Sequence, residues 1–88
     1  NLFPKSIVIE FEQNRIKLKY NLGKVYKNIY FSIPIFVESN LISIQVFADK
    51  KEQFIYPDGD YIGPYGITKH YKTQIMSSEI ISIIITEA

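Results

Sequence analysis

The sequence predicts an all-β domain, and the preferred architecture is a two-sheet antiparallel β-sandwich of seven or eight strands with Ig-like or jelly-roll topology. Three observations support this prediction. Apolar and polar residues alternate along most of the chain, turn signals recur roughly every 8–12 residues, and alanine, the best helix former, occurs only at Ala48 and Ala88. No segment shows a helical period. A small β-barrel of the OB type is the alternative architecture.

The first two strands are predicted together with their register. Apolar residues occupy every second position on either side of Gln13-Asn14, which indicates a hairpin with its turn at that pair. The expected cross-strand pairs are Glu12–Arg15, Phe11–Ile16, Glu10–Lys17, Ile9–Leu18 and Ile7–Tyr20. This register separates a charged outer face from an apolar inner face. We therefore expect Ile9→Asp to unfold the domain by burying an unpaired carboxylate.

The remaining strands are predicted between turn signals. Those turns fall at residues 21–24, 38–40, 49–52, 58–59 and 77–78. Pro34 interrupts one run and predicts a bend or an edge position, because proline cannot donate to a strand ladder. Residues 80–86 are uncharged and apolar on both faces. That last strand must lie between two strands of its own chain or be covered by another subunit.

Composition limits the range of functions. Residues 1–88 form one domain, with residues 1–5 as a short lead. The net charge is +1 with interspersed signs, so no field favours nucleic acid or a membrane surface. The lack of cysteine excludes disulfides and thiolate chemistry, and no apolar run approaches the roughly 20 residues of a transmembrane helix. Because the chain begins at Asn1, we expect a processed or excised chain from an extracellular, cell-surface or virion-surface protein, with a cytoplasmic one as the alternative.

The candidate contact surface is the loop of residues 56–66 with the strand that follows it. Its predicted contact residues are Tyr56, Asp58, Asp60, Tyr61, Tyr65, His70 and Tyr71. Tyrosine combines a large apolar ring with a polar tip, which suits a glycan or a protein partner. Asp58 and Asp60, two positions apart, are also a weak candidate for a cation site. The Asp-Gly pair favours a tight hairpin at Asp58-Gly59 over a cation site, and this hairpin pairs Tyr56 with Tyr61.

We expect neither enzymatic activity nor a cofactor. The single histidine, His70, has no marked nucleophile or carboxylate partner, and phosphate-loop and nucleophile-elbow motifs are lacking. The all-β layout and dense last strand resemble, in a general way, bacterial appendage subunits and phage structural modules. The leading hypothesis is a non-catalytic structural or interaction module of an exported or virion-surface assembly, such as a filament, appendage or adhesin. It would contact its own copies or a partner subunit through a strand edge or sheet face.

Two alternative functions use different sets of residues. A glycan-binding or small-ligand module would use the tyrosine-rich loop. An OB-type binder of single-stranded nucleic acid would use basic residues interleaved with aromatic ones, as around Lys17, Lys24 and Lys69. A domain committed to nucleic acid is expected to be more basic than this one, which disfavours that alternative.

Overall fold

The computed structural model describes residues 3–88, and these form an all-β, antiparallel domain, as predicted. The strands are β1 (Ser6–Glu12), β2 (Arg15–Phe36), β3 (Leu41–Ala48), β4 (Lys51–Gln53), β5 (Ile55–Gly63) and β6 (Gly66–Glu87). They form one hydrogen-bonded sheet in the order β1-β2-β6-β3-β4. β5 also pairs with β6, but with residues 66–73, whereas β3 pairs with residues 81–87. The described residues therefore contain six strands, fewer than the seven or eight predicted.

The strand count is lower because two predicted turns are bends inside long strands. β2 and β6 each run for 22 residues, and their mutual register shifts between Asn21 and Tyr26. At this bend the Gly23 N–H donates to Asn21 Oδ1 at 2.9 Å, and Gly23 adopts a φ of 81°. Extra residues on one strand of a pair make the sheet bend without ending either strand. Residues 21–24 and 77–78 thus join strands that the sequence pattern separates.

The bend divides the sheet into two arms. We call β1, β3, β4, residues 15–21 of β2 and residues 80–87 of β6 the wide arm. The narrow arm consists of β5, residues 26–36 of β2 and residues 67–75 of β6. Both arms contribute to a single core of buried side chains, which are Leu22, Ile29, Val46, Ala48, Ile75, Ile81 and Ile83.

The opening hairpin has the predicted register but not the predicted burial. Every expected pair is present, from Glu12 opposite Arg15 to Ile7 opposite Tyr20. All seven residues of β1 are nevertheless exposed. The core lies over β2, β6 and β3, whereas β1 forms the end of the sheet, so the core does not extend over its inner face. The prediction that Ile9 is buried is therefore wrong.

The last strand has partners on both sides. Residues 80–86 of β6 pair with β2 on one side and with β3 on the other. Ile81 and Ile83 are buried in the core. This confirms the intrachain alternative for the apolar strand. In the predicted N-terminal lead, Asn1 and Leu2 lie outside the described residues, while the Lys5 N–H donates to the Asn21 carbonyl at 2.7 Å.

Asp49 supports the bend from a neighbouring turn. Its carboxylate accepts hydrogen bonds from the N–H groups of Glu79 and Ile80, with Oδ1 at 3.2 and 3.0 Å. Asp49 and Lys50 have φ values of 48° and 72°, as in the tight I′ hairpin turn. The turn thus places a carboxylate where β6 has free backbone donors.

We expect Asp49→Gly to lower the free energy of unfolding by about 0.5–1.5 kcal/mol, the net contribution of a hydrogen bond whose donors can otherwise bond to water. Glycine fits a positive φ, so the loss reports the missing carboxylate rather than backbone strain. Lys50→Gly is the matched control in the same turn and should cost little. Urea unfolding followed by circular dichroism measures both variants. Equal losses would contradict a supporting role for the Asp49 carboxylate.

Candidate functional site

The outer face of the narrow arm carries exposed aromatic rings from different strands. Residues directly opposite each other in an antiparallel pair share a face. Tyr56 lies opposite Lys72, Tyr61 opposite Thr68 and Phe36 also opposite Thr68. We call this surface the aromatic face, and it comprises Tyr30, Phe36, Phe54, Tyr56, Tyr61, Thr68, His70, Lys72 and Gln74. Phe54 belongs to it because its ring stacks on Tyr56 with centroids 5.9 Å apart.

His70 and Tyr61 form the closest aromatic contact of this face. Their ring centroids are 4.1 Å apart, with 51° between the ring planes. The His70 Nε2 lies 3.3 Å from Thr68 Oγ1. Three of the predicted contact residues, Tyr56, Tyr61 and His70, therefore share one surface. A tilted ring pair with adjacent hydroxyl and imidazole groups can present both an apolar plane and hydrogen-bonding atoms to a ligand.

Asp58 joins the aromatic face through an ion pair with Lys72. The Lys72 Nζ lies 2.5 Å from Asp58 Oδ2 and 5.2 Å from the centre of the Tyr30 ring. The Asp58 carboxylate, and after it Tyr30, raise the pKa of Lys72 above its ordinary value. Asp58 is thus engaged by a cation of its own chain. Residues 3–88 contain no group of three or more acidic or histidine side chains that could hold a metal ion.

The predicted hairpin at Asp58-Gly59 is wrong. β5 continues through this pair as a bulge, because the register shifts between Pro57, opposite Tyr71, and Asp60, opposite Lys69. Gly59 takes a φ of 89°, which suits the bulge as well as it would suit a turn. The chain instead reverses at Pro64-Tyr65, between the paired residues Gly63 and Gly66.

The register also separates some predicted contact residues from the others. Tyr71 lies on the inner face of β6, the face that carries the buried Thr73 and Ile75. Asp60 shares that inner face because it lies opposite Lys69. Tyr65 occupies the turn and is 88% exposed. The predicted set of seven therefore does not form one surface, and Asp60, Tyr65 and Tyr71 are not part of the aromatic face.

Sequence reasoning did not assign Tyr30, Phe36, Phe54 and Lys72 to the site. Tyr30 and Phe36 precede the tyrosine-rich loop by many residues, and they join it only because β2 pairs with β6. The sequence signal for Tyr30 and Phe36 was the alternation along β2, which places both on the face that points away from the apolar core residues. Alternation indicates that Tyr30 and Phe36 share a face, but it does not indicate which strand pairs with β2.

A second exposed surface lies on the wide arm. The inner face of β1 presents Ile7, Ile9 and Phe11, whose exposed fractions are 50%, 52% and 78%. We call these three residues the apolar strip. Their partners across the hairpin include Leu18 and Tyr20, which line an apolar cleft of about 480 Å³ between the two arms. Phe31 and Ile33 line the other side of the cleft. The strip and the cleft therefore form a continuous apolar region.

Comparisons with protein-family models, curated proteins and solved structures find no match to the chain. Among residues 3–88, no helix has the length and apolar character needed to cross a membrane. Two surface features remain as the candidates for function. They are the aromatic face of the narrow arm and the apolar strip with its adjoining cleft.

We expect Asp58→Asn to lower the pKa of Lys72 toward the usual lysine value of 10.5, because the carboxylate is the largest cause of its shift. Because folding raises the pKa of Lys72, its ion pair stabilises the protein at pH values below the unfolded-state pKa of lysine. This stabilisation is lost as the pH rises through the folded-state pKa. Titration of the Lys72 side chain by NMR measures the change. Asp60→Asn on the inner face is the matched control. A shift of the same size in the control would show that the ion pair is not the cause.

Proposed function

We propose that this chain is a non-catalytic, self-associating module of an exported or virion-surface assembly, such as a filament, appendage, adhesin or phage structural part. The observation that carries the proposal is the apolar strip, in which each of Ile7, Ile9 and Phe11 is at least half exposed. Contiguous apolar patches at an exposed sheet end are typical of interaction surfaces. Covering such a surface contributes roughly 25 cal/mol per Å² of apolar area.

The position of the strip supports association through β1. β1 is the outermost strand at one end of the sheet, so one side of its backbone is free to pair with another strand. Residues 26–36 of β2 likewise have a strand partner only on their β6 side among the described pairings. On this proposal the bent sheet is an open sandwich rather than a closed OB-type barrel, and its open side is where a second chain packs.

Light scattering over a range of concentrations tests the proposal. We expect the mass of the wild-type chain to rise with concentration, while Ile9→Lys remains at the mass of one chain. Val8→Lys is the matched control, because Val8 is 49% exposed on the opposite face of the same strand. A wild-type chain that stays monomeric at the highest concentration, or equal effects of both variants, would overturn the proposal.

A second candidate function is glycan binding at the aromatic face. The close Tyr61–His70 pair and the neighbouring Lys72–Asp58 ion pair favour it, since sugars stack on rings and exchange hydrogen bonds with polar groups. The probe is a panel of neutral and acidic oligosaccharides. We expect Tyr61→Ala to weaken binding about tenfold, near the upper end for an aromatic contact. Tyr65→Ala in the turn should have no effect. Absence of binding across the panel would reject this function.

A further inference from the structure

We propose that β1 pairs with β1 of a second copy of this chain, as an antiparallel ladder with a two-fold axis at Ile9. The inference rests on the proposed self-association and assigns its contact, symmetry and register. In this ladder Ile9 faces its own counterpart, and Ile7 faces Phe11 of the second copy. On the outer face, Val8 lies opposite Glu10 and Ser6 opposite Glu12 of the second copy.

Among the free edges of the described sheet, β1 is the one suited to pairing. Proteins block exposed strand edges with proline, bulges, charge or short length. The other edges have such features, namely Pro34 in β2, Pro57 and the bulge in β5, three residues in β4 and a register shift in β3. β1 has seven residues in unbroken register with β2 and contains no proline.

Charge and alternation favour the register centred on Ile9. Apolar faces coincide only in registers that differ by an even number of residues. A shift of the axis to Glu10 would place two Glu10 carboxylates directly opposite each other, which is unfavourable. A shift to Val8 would place Phe11 opposite Lys5 and Glu12 opposite Pro4, and neither Lys5 nor Pro4 belongs to β1. The register at Ile9 pairs all seven residues of β1 and sets no like charges opposite each other.

The acidic residues of β1 are compatible with this contact because β2 already balances them. Glu10 lies opposite Lys17 and Glu12 opposite Arg15. The Lys17 Nζ is 2.9 Å from Glu12 Oε1, and this hydrogen bond lowers the pKa of Glu12. The Glu12 carboxylate is thus paired inside its own chain, while Glu10 has a lysine directly across the hairpin on the same face. The inner faces join the two strips into one row of six apolar side chains.

Single cysteines in this cysteine-free chain test the register directly. Directly opposite residues lie about 4.5–5.5 Å apart at Cα, which is within the range of a disulfide. We expect Ile9→Cys to form a disulfide-linked dimer in a glutathione buffer. Ile7→Cys alone should crosslink at least tenfold less, because its counterpart lies four residues along the strand, about 13 Å away. A mixture of Ile7→Cys and Phe11→Cys chains should crosslink to each other.

The outcomes separate this inference from the function on which it rests. A wild-type chain that associates, while Ile9→Cys crosslinks no better than Ile7→Cys or Val8→Cys, would overturn the β1 ladder and leave self-association standing. A monomeric wild-type chain would overturn both. Circular dichroism of each cysteine variant verifies that its β content is retained. Efficient crosslinking of Ile9→Cys, with a light-scattering mass of two chains, is the result that supports the ladder.

Discussion

Val46→Asp is expected to abolish cooperative folding, whereas Ile9→Asp is expected to cost only about 1 kcal/mol, as for a substitution at an exposed position. Val46 has no exposed surface and lies in the core, in the middle of β3. An unpaired carboxylate buried there costs several kcal/mol. That penalty is comparable with the total stability of a small domain, roughly 5–15 kcal/mol.

The Val46 and Ile9 variants together test whether the inner face of β1 is buried or exposed. Alternation along the hairpin predicts that Ile9 is buried, but its side chain is 52% exposed. Urea unfolding of dilute protein, followed by far-ultraviolet circular dichroism, measures both variants without a contribution from association. Complete unfolding of Ile9→Asp would restore the sequence-based expectation and contradict the exposed position of the strip.

Leu22→Ala is expected to lower the free energy of unfolding by about 2–5 kcal/mol, as for other large-to-small core substitutions. Leu22 is 5% exposed and lies within the bend of β2, where its side chain joins the core shared by both arms. The substitution removes apolar contacts and leaves a cavity next to the cleft between the arms. The loss should appear as a lower midpoint of urea unfolding.

Val25→Ala is the matched control for Leu22→Ala. Val25 belongs to the same bend but is 57% exposed, so its truncation should change stability by about 0.5 kcal/mol or less. A similar loss in both variants would show that the bend depends on local strand preference rather than on burial. A small loss in Leu22→Ala alone would show that the core of the two arms does not depend on this side chain.

Local patterns predicted local features well. The β1–β2 register follows from a short turn between two alternating runs, and both determinants lie within residues 7–20. The same reasoning failed at Asp58-Gly59, because a glycine with positive φ serves a bulge and a turn equally well. The chain reverses between Gly63 and Gly66 instead, so β5 pairs with β6 and Gly59 lies in a bulge of β5.

The candidate site required more than the local pattern. The predicted group of Tyr56, Tyr61 and His70 lies on one face because β5 and β6 are adjacent in sequence and in space. Tyr30 joins that face through the pairing of β2 with β6, a contact between distant parts of the chain. Tyr71 was assigned to the site by its position in sequence, yet the alternation of β6 places it on the same face as the buried Thr73 and Ile75.

By itself, the sequence determined the fold class, the register of the opening hairpin and the alternating faces of most strands. These properties depend on side-chain period and turn chemistry, which act over a few residues. Only the tertiary structure decided that β2 and β6 bend without ending, that residues 80–86 lie between β2 and β3, and that the apolar face of β1 is uncovered. Burial depends on which distant strand lies above a face, and alternation along one strand contains no information about that neighbour.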